Sequence, residues 1–362
     1  MLYQPDAHEP VTKQPWDAAR VREAIRTIAG EAEAAFAAGW PGHPLDEVDD
    51  GLRGIYLGGA GVVDALRRLA ERGLIDAPRD YVPYVERSLD APGDFPEYGP
   101  QRSLWMGQTG IRLVLQRLAP SNENLDELRR LISANARDKR RELMWGSPGT
   151  MLVARELGLD DLWAESAEWL RQERDPDGLW EQDLYGKRRR ILGPAHGFAG
   201  CILALGGDPM AGDVAVKYAV EEDGLANWPA VAGGELLEAN GSIRTQWCHG
   251  APGIVASLAD LLDEDLALAG GELVWQAGPL VKGASLCHGT AGNGYAFLAL
   301  LARTRDDRWL ARARAFAMHA IEQVERARTT YGRGRYTLWT GDLGMALYLA
   351  DCLQGHGTLP LP

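Results

Sequence analysis

The sequence predicts an all-α protein, an (α/α)7 toroid in which seven inner helices stand inside an outer ring. Two observations predict this fold. A Gly-x-x-Gly motif recurs seven times along the 362 residues, and each copy directly precedes an apolar segment typical of a buried helix. Neighbouring motifs lie between 39 residues (Gly107 to Gly146) and 53 residues (Gly197 to Gly250) apart. The motifs begin at Gly58, Gly107, Gly146, Gly197, Gly250, Gly289 and Gly341.

A more polar, amphipathic segment precedes each motif and predicts the outer helix of that repeat. The first is expected around residues 18–38. In residues 122–135, apolar side chains recur at helical spacing, and residues 307–327 show a similar stripe. Each repeat therefore reads as an outer helix, a loop, a glycine turn and an inner helix. An open solenoid is the alternative, but motif-bearing ends that converge on one site favour a closed ring.

The repeated glycines have two expected physical roles. A turn that leads from a loop into a helix often needs a positive φ, which glycine adopts at no steric cost. The absence of a side chain also lets neighbouring backbones approach closely where the inner helices converge. Both roles predict that the motifs mark the starts of the inner helices.

No linker interrupts the series, so residues 1–362 are expected to form a single domain. Residues 1–51 are expected to supply a loose N-terminal arm and the first outer helix. The longest stretch rich in glycine, proline and charge, residues 206–241, lies inside the repeat that leads to the first cysteine motif. We interpret it as an insertion near the mouth of the site.

The charge and hydropathy of the chain exclude several functional classes. A net charge of −13 and a pI near 5.1 argue against non-specific binding to nucleic acid or to an anionic membrane surface. The first 15 residues are polar and show no signal peptide. No apolar run approaches the roughly 20 residues needed to span a bilayer. The sequence therefore predicts a soluble, cytoplasmic protein.

Two cysteines stand in matching motifs and predict a metal site. Cys248-His249-Gly250 and Cys287-His288-Gly289 each lead into an apolar run, at equivalent corners of adjacent repeats. Adjacent repeats of a ring bring equivalent corners side by side, next to helix N-termini that favour the thiolate form. Two thiolates and one imidazole suit zinc and leave a fourth position open. From the residues alone, either histidine could be the third ligand. The other two cysteines, Cys201 and Cys352, are expected to be ordinary buried residues.

These motifs, together with Ala195-His196-Gly197, resemble the LanC-like family, which comprises bacterial lanthionine cyclases and related LanC-like proteins. The resemblance runs from about Tyr56 to the C-terminus. It implies a seven-fold α/α toroid with Zn²⁺ held by Cys248, Cys287 and His288, and it assigns His249 to the pocket.

The resemblance also implies roles for residues outside the metal site. His196 matches the active-site histidine of the family, Arg244 matches an arginine of the cyclase active site, and Glu142 stands where the cyclases carry a catalytic aspartate. Lys282 matches a lysine of the LanC-like branch, and Asn227-Trp228-Pro229 resembles a segment of that branch. The chain is therefore closer to this branch than to dedicated cyclases, which usually place tyrosine where this chain has His249.

The implied reaction is zinc-dependent addition of a thiol to dehydroalanine or dehydrobutyrine in a peptide or protein, with glutathione as the implied donor. Arg244 or Lys282 would stabilise the enolate, and His196 or His249 would supply the proton. Lys282, Arg333 and Arg335 are expected to bind the carboxylates of glutathione. Any of these cations could instead be a solvated surface charge, and Glu142 could instead cap a helix.

Three other functions compete with this one. The first is a lanthipeptide cyclase, which forms rings within one peptide. The second is a non-catalytic module that binds zinc and glutathione. The third is a glycosidase, which requires paired carboxylates; Glu142 has no evident partner, so this function ranks last.

Overall fold

The computed structural model describes residues 1–48, 51–99 and 101–362, and its helices alternate between two concentric rings. The outer helices are α1 (Ala18–Ala35), α3 (Val82–Ser88), α5 (Asn122–Asn135), α7 (Asp160–Gln172), α9 (Ala211–Tyr218), α11 (Glu264–Ala277) and α13 (Asp307–Tyr331). The inner helices are α2 (Gly59–Glu71), α4 (Gln108–Leu118), α6 (Ser147–Glu156), α8 (Phe198–Leu205), α10 (Ala251–Leu258), α12 (Thr290–Thr304) and α14 (Asp342–Gln354). The predicted seven-repeat α/α toroid is confirmed.

The first glycine of every Gly-x-x-Gly motif is the N-cap of an inner helix. Only Gly250 among them has a positive φ, of 97°. The expectation of positive φ is therefore wrong at the other six positions. At all seven, however, a Cβ would lie 2.8 Å or less from a backbone atom of the preceding loop. The need for space therefore explains these glycines, and the left-handed conformation matters at Gly250 alone.

The second glycine of each motif leaves even less space. A Cβ at this position would lie 1.7–2.2 Å from the carbonyl oxygen of the residue six places earlier in the chain, in all seven repeats. The carbonyl is backbone and cannot move aside without displacing the loop. The loop and the first turn of each inner helix therefore pack backbone against backbone, which explains the regularity of the motif.

Backbone hydrogen bonds join equivalent corners of successive repeats and close the ring. The N–H of Cys248 donates to the carbonyl of Cys287 at 3.1 Å, and that of Cys287 donates to Trp339 at 2.9 Å. Across the closure, the N–H of Trp339 donates to Tyr56 at 3.3 Å, and that of Tyr56 donates to Trp105 at 3.2 Å. Helix α14 also packs on α1 and α2. The first and last repeats are therefore neighbours.

Tryptophan side chains fill the centre of the ring. The ring centroids of Trp105 and Trp339 are 4.4 Å apart, and those of Trp247 and Trp339 are 4.8 Å apart. All three side chains are buried. They pack directly beside the corner that carries Cys248, so the inner ends of the repeats are held rigidly by large apolar groups.

Two short antiparallel hairpins interrupt the helical pattern, and the helical periodicity did not predict them. One pairs β1 (Gln182–Leu184) with β2 (Lys187–Arg189), and the other pairs β3 (Val220–Glu222) with β4 (Leu225–Asn227). The segment 206–241, interpreted as an insertion, contains the regular outer helix α9 and the second hairpin, followed by a loop.

The N-terminal arm is held in place, contrary to the expectation of a loose segment. Asn227 donates to the carbonyl of Leu2 at 2.8 Å, and His8 donates to the carbonyl of Gly278 at 2.8 Å. The hydroxyl of Thr245, three residues before Cys248, lies 3.1 Å from the second ring nitrogen of His8. Within the described residues, no helix is both long and apolar enough to cross a bilayer.

Candidate metal centre and its cavity

Cys248, Cys287 and His288 converge at the inner ends of two adjacent repeats. Their sulfur and ring-nitrogen atoms all lie within 4.8 Å of one another. The backbone hydrogen bond from Cys248 to Cys287 fixes the distance between the two corners. Both cysteine side chains are buried. Two cysteines and one histidine are a ligand set typical of catalytic zinc sites. These are the three residues that the family resemblance assigned to the metal.

The two cysteine side chains are hydrogen-bonded to each other. A hydrogen bond from Cys287 holds the pKa of Cys248 well below its usual value, and bonding to Cys248 raises the pKa of Cys287 well above it. The Tyr56 hydroxyl also donates to Cys287. The surroundings therefore favour the thiolate form of Cys248, as expected for a thiolate metal site.

Glu142 and His196 form a hydrogen-bonded pair beside this cluster. The Glu142 carboxylate, which is fully buried, accepts from Nδ1 of His196 at 2.9 Å. It also accepts from the backbone N–H groups of Met144, Trp145 and Gly146. Burial lowers the pKa of His196, but the hydrogen bond and charge of Glu142 outweigh burial, so the pKa is raised. Glu142 thus caps the turn before α6, as considered above, and also orients His196.

His249 is a neighbour of His196. The two rings stack with centroids 6.2 Å apart. Burial lowers the pKa of His249, and its Nδ1 is buried with no hydrogen-bond partner among the described residues. His249 lines the cavity, and its lowered pKa favours the neutral imidazole.

Arg244 and Lys282 bring positive charge to the site by different routes. Arg244 lines the cavity and pairs with Glu238 at 2.9 Å. Lys282 is not among the described residues that line the cavity; it donates to the side-chain oxygen of Gln246 at 3.0 Å, and the amide nitrogen of Gln246 donates to the sulfur of Cys248 at 2.9 Å. Loss of hydration and the charge of Arg244 lower the pKa of Lys282. Gln246 therefore connects Lys282 to a proposed metal ligand.

The structure does not bring the two loop arginines to this cavity. Arg335 forms an ion pair with Asp46, with 2.9 Å between Nε and a carboxylate oxygen. Neither Arg333 nor Arg335 lines the cavity within the described chain. We therefore leave both out of the site proposed below.

Sequence reasoning missed Gln246 and Tyr56. Tyr56 stands two residues before Gly58, the same position in its repeat that Cys248 and Cys287 occupy in theirs. The repeat register could therefore have placed it beside the cysteines. Gln246 carries no such signal, because only the folded loop turns its amide toward Cys248.

The site opens into a cavity of about 890 Å³. The hairpin β1–β2 forms one wall, and the loop after β4 forms another, so part of the predicted insertion does border the site. A volume near the upper end of the range for small-molecule pockets has room for more than one small ligand.

A family profile described as "Lanthionine synthetase C-like protein" matches residues 53–358, most of the chain. The chain belongs to this family. The match covers all seven glycine motifs and both cysteine motifs. It confirms the resemblance on which the site residues were assigned.

Individual relatives match shorter stretches. Glutathione S-transferase LANCL1 from Danio rerio is 40% identical over 116 residues, which are 30% of this chain and 28% of that protein. LanC-like protein GCL1 from Arabidopsis thaliana is 42% identical over 91 residues, 22% of this chain and 21% of that protein. The aligned stretch thus spans less than a third of either relative.

Among solved structures, nisin cyclase superposes with a TM-score of 0.57 at 19% sequence identity, covering 94% of this chain and 100% of the other. At this identity the likeness shows the fold alone. The family includes enzymes, as the names of nisin cyclase and the Danio rerio transferase indicate.

Proposed function

We propose that this protein catalyses the zinc-dependent addition of a thiol, glutathione, to dehydroalanine or dehydrobutyrine residues of a peptide or protein, forming a thioether. One observation carries the proposal. The donor atoms of Cys248, Cys287 and His288 lie within 4.8 Å of one another, beside a cavity that is also lined by His196. The name of the Danio rerio relative, glutathione S-transferase LANCL1, supports glutathione as the donor.

The residues present fit a zinc ion. Two sulfurs and one imidazole are preferred zinc donors, and three protein ligands leave a position for substrate. The lowered pKa of Cys248 and the hydrogen bond from Gln246 to its sulfur fit a site that holds anionic ligands around a cation. When bound, zinc would lower the pKa of a substrate thiol and keep it as a nucleophilic thiolate.

The cations beside the site suit the charges of the reactants. Glutathione carries two carboxylates, and two cations stand near Cys248: Arg244 in the cavity wall, and Lys282, which does not line the cavity but donates to Gln246. Arg244 also lines the cavity where negative charge would develop on the acceptor carbonyl. A fixed cation at that place stabilises an enolate without reorganisation.

His196 supplies the proton in the proposed reaction. The thiolate sulfur bonds to the β-carbon of the acceptor, and the alkene electron pair moves toward the adjacent carbonyl. The α-carbon then takes a proton from Nε2 of His196, which is reprotonated from solvent. Because Glu142 holds Nδ1, the other nitrogen of the ring is the one free to donate.

A thiol-addition assay tests this function. Zinc-loaded protein is incubated with glutathione and a dehydroalanine peptide, and the mass of the peptide is followed. We expect a gain of one glutathione, which His196→Ala slows at least a hundredfold. A peptide that binds but stays unmodified would show the proposal wrong and favour a non-catalytic module. Ring closure of a cysteine-containing peptide without glutathione would instead indicate a cyclase.

A further inference from the structure

One face of the hairpin β1–β2 lines the cavity. Its register pairs Gln182 with Arg189 and Leu184 with Lys187, so these four side chains share a face. All four line the cavity of the metal centre. Gln182 and Leu184 are buried and anchor the wall, whereas Lys187 and Arg189 are exposed. The hairpin thus offers two cations to whatever enters the cavity.

These two cations lack the carboxylate partners that their neighbours have. Arg188, on the opposite face, lies 3.5 Å from Glu181, and Arg190 pairs with two aspartates at its end of the hairpin. Across the described parts of the chain, no carboxylate lies within ion-pairing distance of Lys187 or Arg189. In a chain with a net charge of −13, two unpaired cations on the cavity face leave this wall ready for an anionic partner.

The turn of the hairpin carries a third binding feature. Tyr185 and Gly186 both have positive φ, of 53° and 73°, as a two-residue type I′ turn requires. A bulky side chain rarely adopts this backbone conformation. The Tyr185 ring is nonetheless 58% exposed at the edge of the cavity, and Trp145 Nε1 donates to its hydroxyl at 3.0 Å. An exposed, anchored aromatic ring beside two cations is typical of a recognition surface.

We propose that the β1–β2 hairpin is the acceptor-binding wall, and that it selects peptides or protein segments with acidic residues flanking the dehydroamino acid. The inference rests on the proposed function and names its substrate class. The proposed function assigns Arg244 and Lys282 to glutathione near Cys248, which leaves the exposed hairpin cations for the second reactant. The cavity is also lined by Glu235 and Glu238, the latter paired with Arg244. Acidic flanks are therefore expected at Lys187 and Arg189, the lining cations that have no carboxylate partner within the described residues.

Peptide binding to the zinc-loaded protein tests the proposal without any chemistry. Fluorescent peptides carry serine in place of the dehydroamino acid, flanked by three glutamates or by three glutamines, and binding is followed by anisotropy at low and high salt. We expect the acidic peptide to bind about tenfold more tightly at low salt, and the preference to shrink at high salt. Equal binding of the two peptides would overturn the proposal.

Two variants with the same net charge separate the faces of the hairpin. Lys187→Gln/Arg189→Gln and Arg188→Glu each change the net charge from −13 to −15. We expect the double variant to lose most of the preference for the acidic peptide, and Arg188→Glu to retain it. An equal loss in both variants would show a general charge effect and contradict the proposal.

Glutathione binding, measured by calorimetry on the same proteins, separates the two reactants. We expect the double variant to bind glutathione as wild type does. Weaker glutathione binding with an unchanged peptide preference would assign the hairpin to the thiol and overturn the inference. If the acidic preference holds but no thioether forms in the addition assay, the hairpin proposal stands and the proposed reaction is wrong.

Discussion

The carboxylate of Glu142 lies 2.9 Å from Nδ1 of His196, although the two residues are 54 positions apart in the chain. The same carboxylate accepts three backbone N–H groups of the turn into α6, so its own position is fixed. His196 precedes the next inner helix, α8. The contact between neighbouring corners of the toroid thereby holds one imidazole with a raised pKa at the cavity.

Replacement of Glu142 should shift the pH–rate profile of the reaction. If His196 donates a proton, activity falls as pH rises through its pKa, which Glu142 raises. Glu142→Gln removes that stabilisation, so we expect the alkaline limb of kcat to shift to lower pH by about one unit. At pH 8, kcat should fall about tenfold, with little change in KM for glutathione. Rates between pH 5.5 and 9 measure the shift.

Glu238→Gln is the matched control, because it removes a carboxylate that lines the cavity and is hydrogen-bonded to Arg244, not to His196. We expect it to alter the rate through Arg244 but to leave the position of the alkaline limb unchanged. A limb that stays in place in Glu142→Gln, or moves equally in both variants, would assign the proton donor to another group.

Metal analysis of purified protein should find about one zinc per chain. Cys287→Ala should lose most of this zinc, because two remaining ligands hold the ion weakly. Cys352→Ala is the control, since Cys352 is also buried but lies within α14, outside the cluster. Zinc retained in Cys287→Ala at the wild-type ratio would show that the ligand assignment is wrong.

The periodicity of the sequence was sufficient for the fold. Seven glycine motifs in one register required seven equivalent corners, and residues 122–135 were predicted with the bounds that α5 has. The sequence did not predict the hairpin β1–β2, because three-residue strands are too short to show an alternating pattern and lie between two helical repeats. The position of the N-terminal arm was not predicted either. It depends on long-range contacts, such as the hydrogen bond from Asn227 to Leu2, which a local sequence pattern does not reveal.

The metal ligands could be predicted from the sequence for a related reason. Cys248, Cys287 and His288 occupy repeated positions, so the repeat brings them together. The choice of His288 over His249 came from the family resemblance and not from local chemistry, since both stand in the same local context. Charge alone suggested Arg333 and Arg335, but positive charge in a loop does not specify where the side chain lies.

The amide of Gln246 should support the metal centre. It donates to Cys248 at 2.9 Å and accepts from Lys282 at 3.0 Å. Gln246→Met keeps the approximate size but removes both bonds, so we expect zinc affinity to fall about tenfold. Competition with a coloured chelator measures the affinity. In the cobalt-substituted protein, the sulfur-to-cobalt absorption band should also shift.

Gln182→Met makes the same change elsewhere in the cavity. Gln182 accepts from the N–H of Ile191 and does not contact the cluster, so its replacement should leave zinc affinity and the cobalt spectrum unchanged. If the chelator removes zinc equally well from Gln246→Met and wild type, Gln246 has no role in holding the metal.

Substitution of the second glycine of a motif tests why these positions require glycine. A Cβ at Gly110 would lie 2.1 Å from the carbonyl oxygen of Leu104, and the side chain of Ile55 is also within 3.0 Å. Gly110→Ala must therefore displace backbone, which should destabilise the protein by about 3 kcal/mol. Thermal unfolding measures the loss. A Gly110→Ala variant as stable as wild type would mean that backbone contact does not set the glycine requirement.

Gly30, in the exposed part of α1, provides the opposite case for the same substitution. A Cβ at this position would have no atom within 4 Å, and the residue has no positive φ. Gly30→Ala should therefore stabilise the protein by about 0.5–1 kcal/mol, because alanine has less conformational freedom to lose on folding. The unfolding temperatures of the two variants should move in opposite directions. The methyl group of Gly30→Ala lowers the entropy of the unfolded chain and meets no atom in the folded protein, whereas that of Gly110→Ala collides with a carbonyl oxygen. Destabilisation of both variants by the same amount would show that helix context, and not the space beside the motif, decides the effect.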